Sequence, residues 1–241
     1  MFKTVQIEKA HEEVSRQIAR KIIAGEIQPG ESLPTESNLT SAFEVSRVVV
    51  REALRSLAQR GLIELSQGRR TIALPEANWD IFDLMILTIM REEGKIYPVL
   101  RDFTWIRLNV EPQIAAEAAR LNDEQLIKDL QASIDNMEKL QRKHEGYYKA
   151  DLEFHARLAS ATGNRVLYRL MNIFGTLFNE ARHLSDSLFE ESARGVADHK
   201  QLLAAIEAGD ANEAQELMQK HIEWAQEGVT EWYASGKKLQ P

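Results

Sequence analysis

The segment from Ser46 to Arg70 constrains the fold more than any other part of this sequence. Its first half has the apolar spacing of an amphipathic helix, and arginines recur every four residues at Arg47, Arg51 and Arg55. This spacing places the three guanidinium groups in one row. Gly61 stands where a helix would end, and short apolar runs on both sides of a basic turn then predict two strands. A helix with an arginine row, followed by a basic hairpin, suits a DNA groove and its flanking phosphates.

Two further helices are predicted before this segment. Apolar residues at helical spacing predict the first at Ile7–Ala24, and Thr35 is the predicted N-cap of a short second helix. Ser46 is the predicted cap of the basic helix. A short helix, a tight turn and a basic helix form a helix-turn-helix, to which strands at Leu62–Leu65 and Thr71–Leu74 add a wing.

Charge separates this region from the rest of the chain. The formal net charge is −7, yet residues 1–75 contain 11 Lys/Arg and 9 Asp/Glu, which leaves 19 and 28 for the remainder. We therefore predict a DNA-binding domain at residues 1–75, a linker at 76–80 and a second domain at 81–241. The sequence has no cysteine, no signal-peptide pattern and no apolar run that would span a bilayer. We expect a cytoplasmic protein with no membrane partner.

Helical periodicity continues through the second domain. The predicted helices are Ile81–Arg91, Pro98–Arg120, Asp123–His144, Tyr147–Ala161, Arg165–Ser185, Glu190–Ala208 and Ala211–Tyr233. Pro112 falls inside the second of these helices, where we expect it to kink or divide the helix. The predicted fold is mainly α, with an N-terminal winged helix-turn-helix followed by an all-α bundle of about seven helices.

Four side chains that bind metals well occupy inward-facing positions on three of these helices. Asp151 and His155 are four residues apart on one helix, and His199 and His221 align with apolar residues on two others. Such a set suits zinc, nickel, manganese or iron and leaves coordination positions open for a ligand. One inward histidine is more often a hydrogen-bonded core residue, so the metal hypothesis rests on all four together. The remaining histidines are interpreted as surface or core residues: His11, His144 and His183. The role of His183 is left open.

An ordered set of residues in the first domain identifies a family. The set is Pro29-Gly30, Leu33-Pro34-Thr35-Glu36, Leu39, Val45-Ser46-Arg47, Val50-Arg51, Ala53-Leu54, Leu57, Gly61-Leu62-Ile63 and Gly68. It covers about residues 10–74 and closely resembles the winged helix-turn-helix of the GntR family of bacterial transcription regulators.

The resemblance implies which residues contact operator DNA. Arg47, Arg51 and the wing tip at Gln67 and Gly68 would contact the operator. The two helix caps, Thr35 and Ser46, would contact backbone phosphates. One position departs from the pattern, because Ser37 stands where the fatty-acid-responsive member has a DNA-contacting arginine. The operator should therefore differ from that member's operator. Arg55 is interpreted as a phosphate-binding or structural residue.

The second domain resembles the all-helical, FCD-type effector domain of the FadR branch of this family over about residues 80–235. The matching motifs are IRLNVEPQIAAEAA, Asp151-Leu-Glu-Phe-His155, Thr162-Gly163-Asn164 and His199 to His221 around the Gly209-Asp210 break. The resemblance implies a divalent metal on Asp151, His155, His199 and His221, with a small carboxylate effector completing the shell. Arg107 is the implied partner of that carboxylate; an alternative is an intrahelical pair between Arg107 and Glu111, and both can hold.

These features favour a metabolite-responsive regulator, a homodimer on double-stranded operator DNA. A repressor is expected, with zinc as the metal and a sugar acid or hydroxy acid as the effector. The alternative is a metalloenzyme acting on a small carboxylate, but no histidine or carboxylate is spaced to act as general base. A plain helical interaction protein would not explain the arginine row and the inward polar set together. Lactate, a hexuronate, an aldonate and a dicarboxylate fit the pocket equally.

Overall fold

The computed structural model of the protein describes residues 8–65, 70–141, 144–181 and 192–234. The chain divides into two compact units, Met1–Lys95 and Ile96–Pro241. In the described part of the chain, no helix combines the length and the apolar character needed to cross a membrane.

The first unit has the predicted order of helices and strands. Its elements are α1 Glu8–Ala24, α2 Glu36–Phe43, α3 Arg47–Gln59, β1 Ile63–Glu64, β2 Ile72–Ala73 and α4 Leu84–Glu92. The two strands pair antiparallel, with Ile63 opposite Ala73 and Glu64 opposite Ile72. A helix-turn-helix with a two-stranded wing is therefore confirmed as the fold of this unit.

Side-chain caps fix where α2 and α3 begin. The Thr35 hydroxyl accepts a hydrogen bond from the Asn38 amide at 3.2 Å, and the Ser46 hydroxyl accepts one from the Val49 amide at 3.4 Å. Both helices thus begin with a satisfied backbone amide. One face of α3 is buried through Val50, Ala53, Leu54 and Leu57. The opposite face is left to the exposed arginines.

The helix α4 belongs to the first compact unit, although its sequence was assigned to the second domain. Arg20 on α1 forms ion pairs with Glu92 and with Glu93, the latter at 2.8 Å. The Lys95 ammonium donates to the Ile23 carbonyl oxygen at 2.6 Å, at the end of α1. These contacts attach the end of α4 to α1. The domain division at residue 75 stays a prediction.

The second unit is entirely helical in the part that the structure describes. Its helices are α5 Tyr97–Leu121, α6 Glu124–Leu140, α7 His144–Ala161, α8 Arg165–Ala181, α9 Ser192–Glu207 and α10 Ala211–Ala234. With α4, they make the seven helices expected after residue 80, and the mainly α fold class is confirmed. The predicted extensions of two helices to Ser185 and back to Glu190 lie outside the described residues.

Of the two outcomes expected at Pro112, a kink or a division of the helix, the division does not occur. Helix α5 runs unbroken for 25 residues from Tyr97 to Leu121 with Pro112 inside it. A proline removes only one backbone hydrogen bond, and α5 packs along α10, α7 and α9. Burial of the apolar face of α5 therefore maintains the helix at Pro112, where one backbone hydrogen bond is missing. This continuity keeps Arg107 and Glu111 on one rigid element.

Candidate metal centre and DNA-binding surface

The structure brings together the four residues predicted to bind metal. Asp151 and His155 project from α7, His199 from α9 and His221 from α10. One nitrogen or oxygen atom from each residue lies within 4.8 Å of the others. All three histidines are buried. The set therefore converges on one point inside the second unit.

The arrangement suits a metal ion better than a hydrogen-bonded core. The Nε2 atom of His199 lies 3.4 Å from Asp151 Oδ1, and the Nε2 atom of His155 lies 3.9 Å from the same oxygen. No described residue makes a hydrogen bond to His199 Nε2, although the atom is buried. A buried nitrogen without a partner costs roughly 1–3 kcal/mol. A divalent ion bound to that lone pair would remove this cost, so the residues fit the metal.

The Nδ1 atom of each histidine has an oxygen in its neighbourhood. Nδ1 of His199 is 2.6 Å from the Gly195 carbonyl oxygen, and Nδ1 of His221 is 3.7 Å from a carboxylate oxygen of Asp198. Nδ1 of His155 is 2.6 Å from Glu111 Oε2, a hydrogen-bond distance, with the oxygen off the axis of the N–H bond. Of the three, only the His199 contact is a hydrogen bond, and an oxygen partner of that kind orients a metal-binding imidazole.

The electrostatics favour the protonation states that metal ligands need. Burial raises the pKa of the Asp151 carboxyl, but its interactions with His155, His199, His221 and the Arg107 guanidinium together outweigh burial and lower that pKa overall. Burial, reinforced by the neighbouring His221, lowers the pKa of His199 to about 3. At neutral pH the carboxylate is therefore ionised and the His199 imidazole is neutral.

A buried ion pair borders the cluster. The Arg107 guanidinium donates through Nε to Glu111 Oε1 and through Nη2 to Oε2 at 3.2 Å. Nη2 also lies 3.4 Å from His155 Nε2. Burial raises the pKa of the Glu111 carboxyl, yet the Arg107 charge outweighs burial and holds the pKa far below its usual range. The intrahelical pair is thus present, and the guanidinium stands beside the cluster as well.

Sequence reasoning missed two other groups near the cluster, Tyr147 and Asp198. Tyr147 is buried, and burial together with the charge of Asp151 raises the pKa of its phenol. Asp198 approaches His221. Asp198 precedes His199 in the sequence, and Tyr147 is four residues before Asp151. Their spacing was visible, but only the fold shows that they approach the metal ligands.

The predicted DNA-contacting residues that the structure describes share the surface around the first turns of α2 and α3. Thr35, Ser46, Arg47 and Arg51 are all exposed. Arg51 Nε lies 2.9 Å from Glu36 Oε2 across the two helices. Exposed pairs of this kind contribute only about 0–1 kcal/mol, so Arg51 can exchange Glu36 for a phosphate or base at small cost.

The structure describes Arg55, the last arginine of the row, but not the predicted wing tip. Arg55 pairs with Glu52 at 2.7 Å on the exposed side of α3. Gln67 and Gly68 lie outside the described residues, as does His183.

Comparison with known proteins agrees with this geometry. A family model described as "Bacterial regulatory proteins, gntR family" matches residues 10–72, and a model of the FCD domain matches residues 102–223. The chain belongs to the GntR family. The FCD match spans Arg107 and all four residues of the cluster, and the other match spans α1 to β2.

Relatives of this GntR-family chain are transcription regulators. The regulator Mce2R of Mycobacterium tuberculosis is 30% identical over 216 residues, which cover 89% of each chain. The galactonate operon transcriptional repressor of Escherichia coli is 26% identical over 207 residues, or 83% of this chain and 87% of the relative. The fold matches a solved structure of Lar, described as controlling the Listeria monocytogenes agr system, with a TM-score of 0.57, 21% identity and coverage of 98% and 100%.

Family membership decides between the functional alternatives. The chain is a DNA-binding transcription regulator and not an enzyme, because the family and its curated relatives are regulators. The metalloenzyme alternative is therefore abandoned, and the candidate metal cluster is left without a catalytic role.

Proposed function

We propose that this protein is a repressor whose affinity for operator DNA is controlled by a small carboxylate bound beside a divalent metal ion. The observation that supports this most is the buried cluster of Asp151, His155, His199 and His221, bordered by Arg107. A regulator has no catalytic need for such a cluster. A ligand-responsive site gives it a purpose in the domain that does not bind DNA.

The four clustered residues would hold the metal, and zinc suits their mixture of imidazole and carboxylate ligands. Nickel, manganese and iron accept the same ligands. When bound, the ion supplies a Lewis-acidic centre with positions open to an anionic oxygen. The ionised Asp151 and the neutral His199 are already in the states that bind a cation.

Arg107 would recognise the effector carboxylate. A guanidinium binds a carboxylate through two parallel N–H donors, and Nη2 of Arg107 lies within 3.4 Å of the cluster. An anion that touches both the metal and Arg107 must be small. The E. coli relative is described as the repressor of the galactonate operon, which supports a sugar acid as the effector and repression as the mode of action.

The DNA-binding role of the first unit would follow from its exposed cations and caps. Arg47 and Arg51 would contact bases or phosphates, Thr35 and Ser46 the backbone, and the wing tip at Gln67 and Gly68 the adjoining groove. One such unit reads few base pairs, so a homodimer on a palindromic operator is proposed. Effector binding would favour one of two dimer states that differ in operator affinity.

A metal-content experiment tests the site. After dialysis against zinc, wild-type protein should retain about one ion per chain, and His199→Ala should lose it while keeping its helical circular dichroism. His11→Ala is the matched control, because His11 lies on α1 outside the cluster. Unchanged zinc content in His199→Ala would show that the assigned ligand set is wrong.

An operator-binding experiment tests the regulation. Zinc-loaded protein is titrated onto a labelled DNA fragment from upstream of its own gene, with and without galactonate, glucuronate, lactate or succinate. One of these carboxylates should weaken binding in wild-type protein and have no effect on His199→Ala. Binding that does not depend on salt, or that no carboxylate alters, contradicts the proposal. Sedimentation of the protein alone and with DNA tests the dimer.

A further inference from the structure

We propose that Glu111 is a positioning residue that joins the metal site to the effector-binding arginine. The inference rests on the proposed function, since it assigns His155 to the metal and Arg107 to the effector. Glu111 itself would touch neither the metal nor the effector. It would hold one residue of each kind in place.

The geometry places Glu111 between these two residues. Its side chain is only 2% exposed, and it projects from α5 one helical turn after Arg107. One carboxylate oxygen accepts from Arg107 Nε, and the other lies 3.2 Å from Arg107 Nη2 and 2.6 Å from His155 Nδ1. A single carboxylate therefore contacts a guanidinium on its own helix and an imidazole on α7.

The same contacts determine the tautomer of His155. Arginine can only donate hydrogen bonds, so the 3.4 Å approach of Arg107 Nη2 to His155 Nε2 requires an unprotonated Nε2. The proton of the neutral ring then resides on Nδ1, 2.6 Å from Glu111 Oε2, which lies off the axis of the N–H bond. Glu111 thus keeps the Nε2 lone pair directed at Asp151, as the Gly195 carbonyl does for His199. Carboxylate–histidine pairs of this kind make the imidazole a stronger metal ligand.

Glu111 also explains how Arg107 stays beside the site. A guanidinium that is 6% exposed needs a buried counter-ion, and the Glu111 carboxylate supplies it on the same helix. The lone pair of His155 Nε2 can bind a metal ion or accept a hydrogen bond from Arg107, but not both at once. When Nε2 binds a metal, its contact with Arg107 is lost, while both hydrogen bonds from the guanidinium to Glu111 can remain.

Glu111→Gln tests this role, because the amide keeps the shape of the side chain and removes its charge. Zinc affinity is measured by competition with a chromophoric chelator, and the ligand field by the visible spectrum of the cobalt-substituted protein. Glu111→Gln should bind zinc roughly 10- to 100-fold more weakly and show a shifted cobalt spectrum. Glu117→Gln is the matched control, since Glu117 lies on the same helix, is exposed and pairs only with Arg120 among the described ion pairs. It should match wild type in both measurements.

The outcomes separate this inference from the proposed function. If wild-type protein binds no zinc, the proposed function fails and the metal role of Glu111 fails with it. If wild type binds zinc and Glu111→Gln binds it equally well with the same cobalt spectrum, only the inference is overturned.

A measurement on wild-type protein covers the case in which Glu111→Gln does not fold. Long-range proton–nitrogen correlation spectra of the metal-free protein report the tautomer of each histidine, and the His155 signals are assigned by their loss in His155→Gln. A proton on Nδ1 supports the proposed contact with Glu111. A proton on Nε2 overturns it, whatever the behaviour of the variants.

Discussion

Replacement of Gly61 by alanine should selectively destabilise the DNA-binding unit. Gly61 follows α3 with a backbone φ of +71°, a left-handed conformation in which a Cβ is strained. A Cβ at this position would overlap the carbonyl oxygen of Asn78 and lie 2.9 Å from its carbonyl carbon. The nearest atoms are backbone, so no side chain can rotate away to make room.

The magnitude follows from these two costs. The left-handed conformation costs an alanine about 1–2 kcal/mol. Relief of the overlap requires the segment around Asn78 to move, which strains the packing by about 1–3 kcal/mol. It also weakens the 2.9 Å hydrogen bond from the Asp80 amide to the Arg60 carbonyl oxygen, at about 1 kcal/mol. The total loss should be roughly 3–6 kcal/mol.

Gly30→Ala is the matched control. Gly30 belongs to the same unit and has a φ of +83°, but a Cβ there would meet nothing within 4 Å. It should therefore show only the conformational cost of about 1–2 kcal/mol. The assay is native-state hydrogen exchange on the full chain, in which peptides from α1 and α3 report the opening free energy of this unit. If Gly61→Ala lowers that free energy no more than Gly30→Ala, the steric argument is wrong.

Three further outcomes concern the two proposed sites. The pKa of His199 is lowered to about 3 in the native chain. Below about pH 6.5 the imidazole is therefore protonated in the unfolded chain but stays neutral in the native chain. This residue should therefore cost metal-free protein about 1.3 kcal/mol of unfolding free energy between about pH 7.5 and about pH 5.5. Urea titrations at the two pH values measure the loss, and His199→Gln should lack this part of it. Arg47→Ala should weaken operator binding by about 1–3 kcal/mol in anisotropy titrations, whereas Arg101→Ala, which removes an exposed cation from α5, should not. Free zinc at about 100 times its dissociation constant should raise the unfolding free energy of the FCD domain by about 2.7 kcal/mol, and EDTA should reverse this.

Local signals in the sequence predicted the starts of α2 and α3 in the DNA-binding unit. Thr35 and Ser46 were expected as caps because their hydroxyls can accept from backbone amides, and both do so. Gly61 was expected to end α3, and it has the positive φ that this position requires. Such signals depend on neighbours within one turn, so no knowledge of the tertiary fold was needed.

Signals that depend on distant partners were less reliable. Pro112 predicts a kink or a break from local rules alone, but α5 continues without a break because it is packed along much of its length. The segment that became α4 carried no sequence mark of the unit to which it belongs. Its place is set by contacts of Glu92, Glu93 and Lys95 with α1, about 70 residues earlier in the chain.

The candidate metal site shows both what sequence signals could predict and what they could not. Helical periodicity showed that Asp151, His155, His199 and His221 face inward, and in a helical bundle inward-facing polar residues must find partners or each other. Periodicity shows which face is buried but not which residues meet there. Glu111 was therefore interpreted only as the local partner of Arg107, because its contact with His155 crosses from α5 to α7. Under the proposed role of Glu111, that contact makes the Arg107–Glu111 pair part of the candidate metal site, since it would direct the His155 lone pair while Glu111 holds a cation beside it.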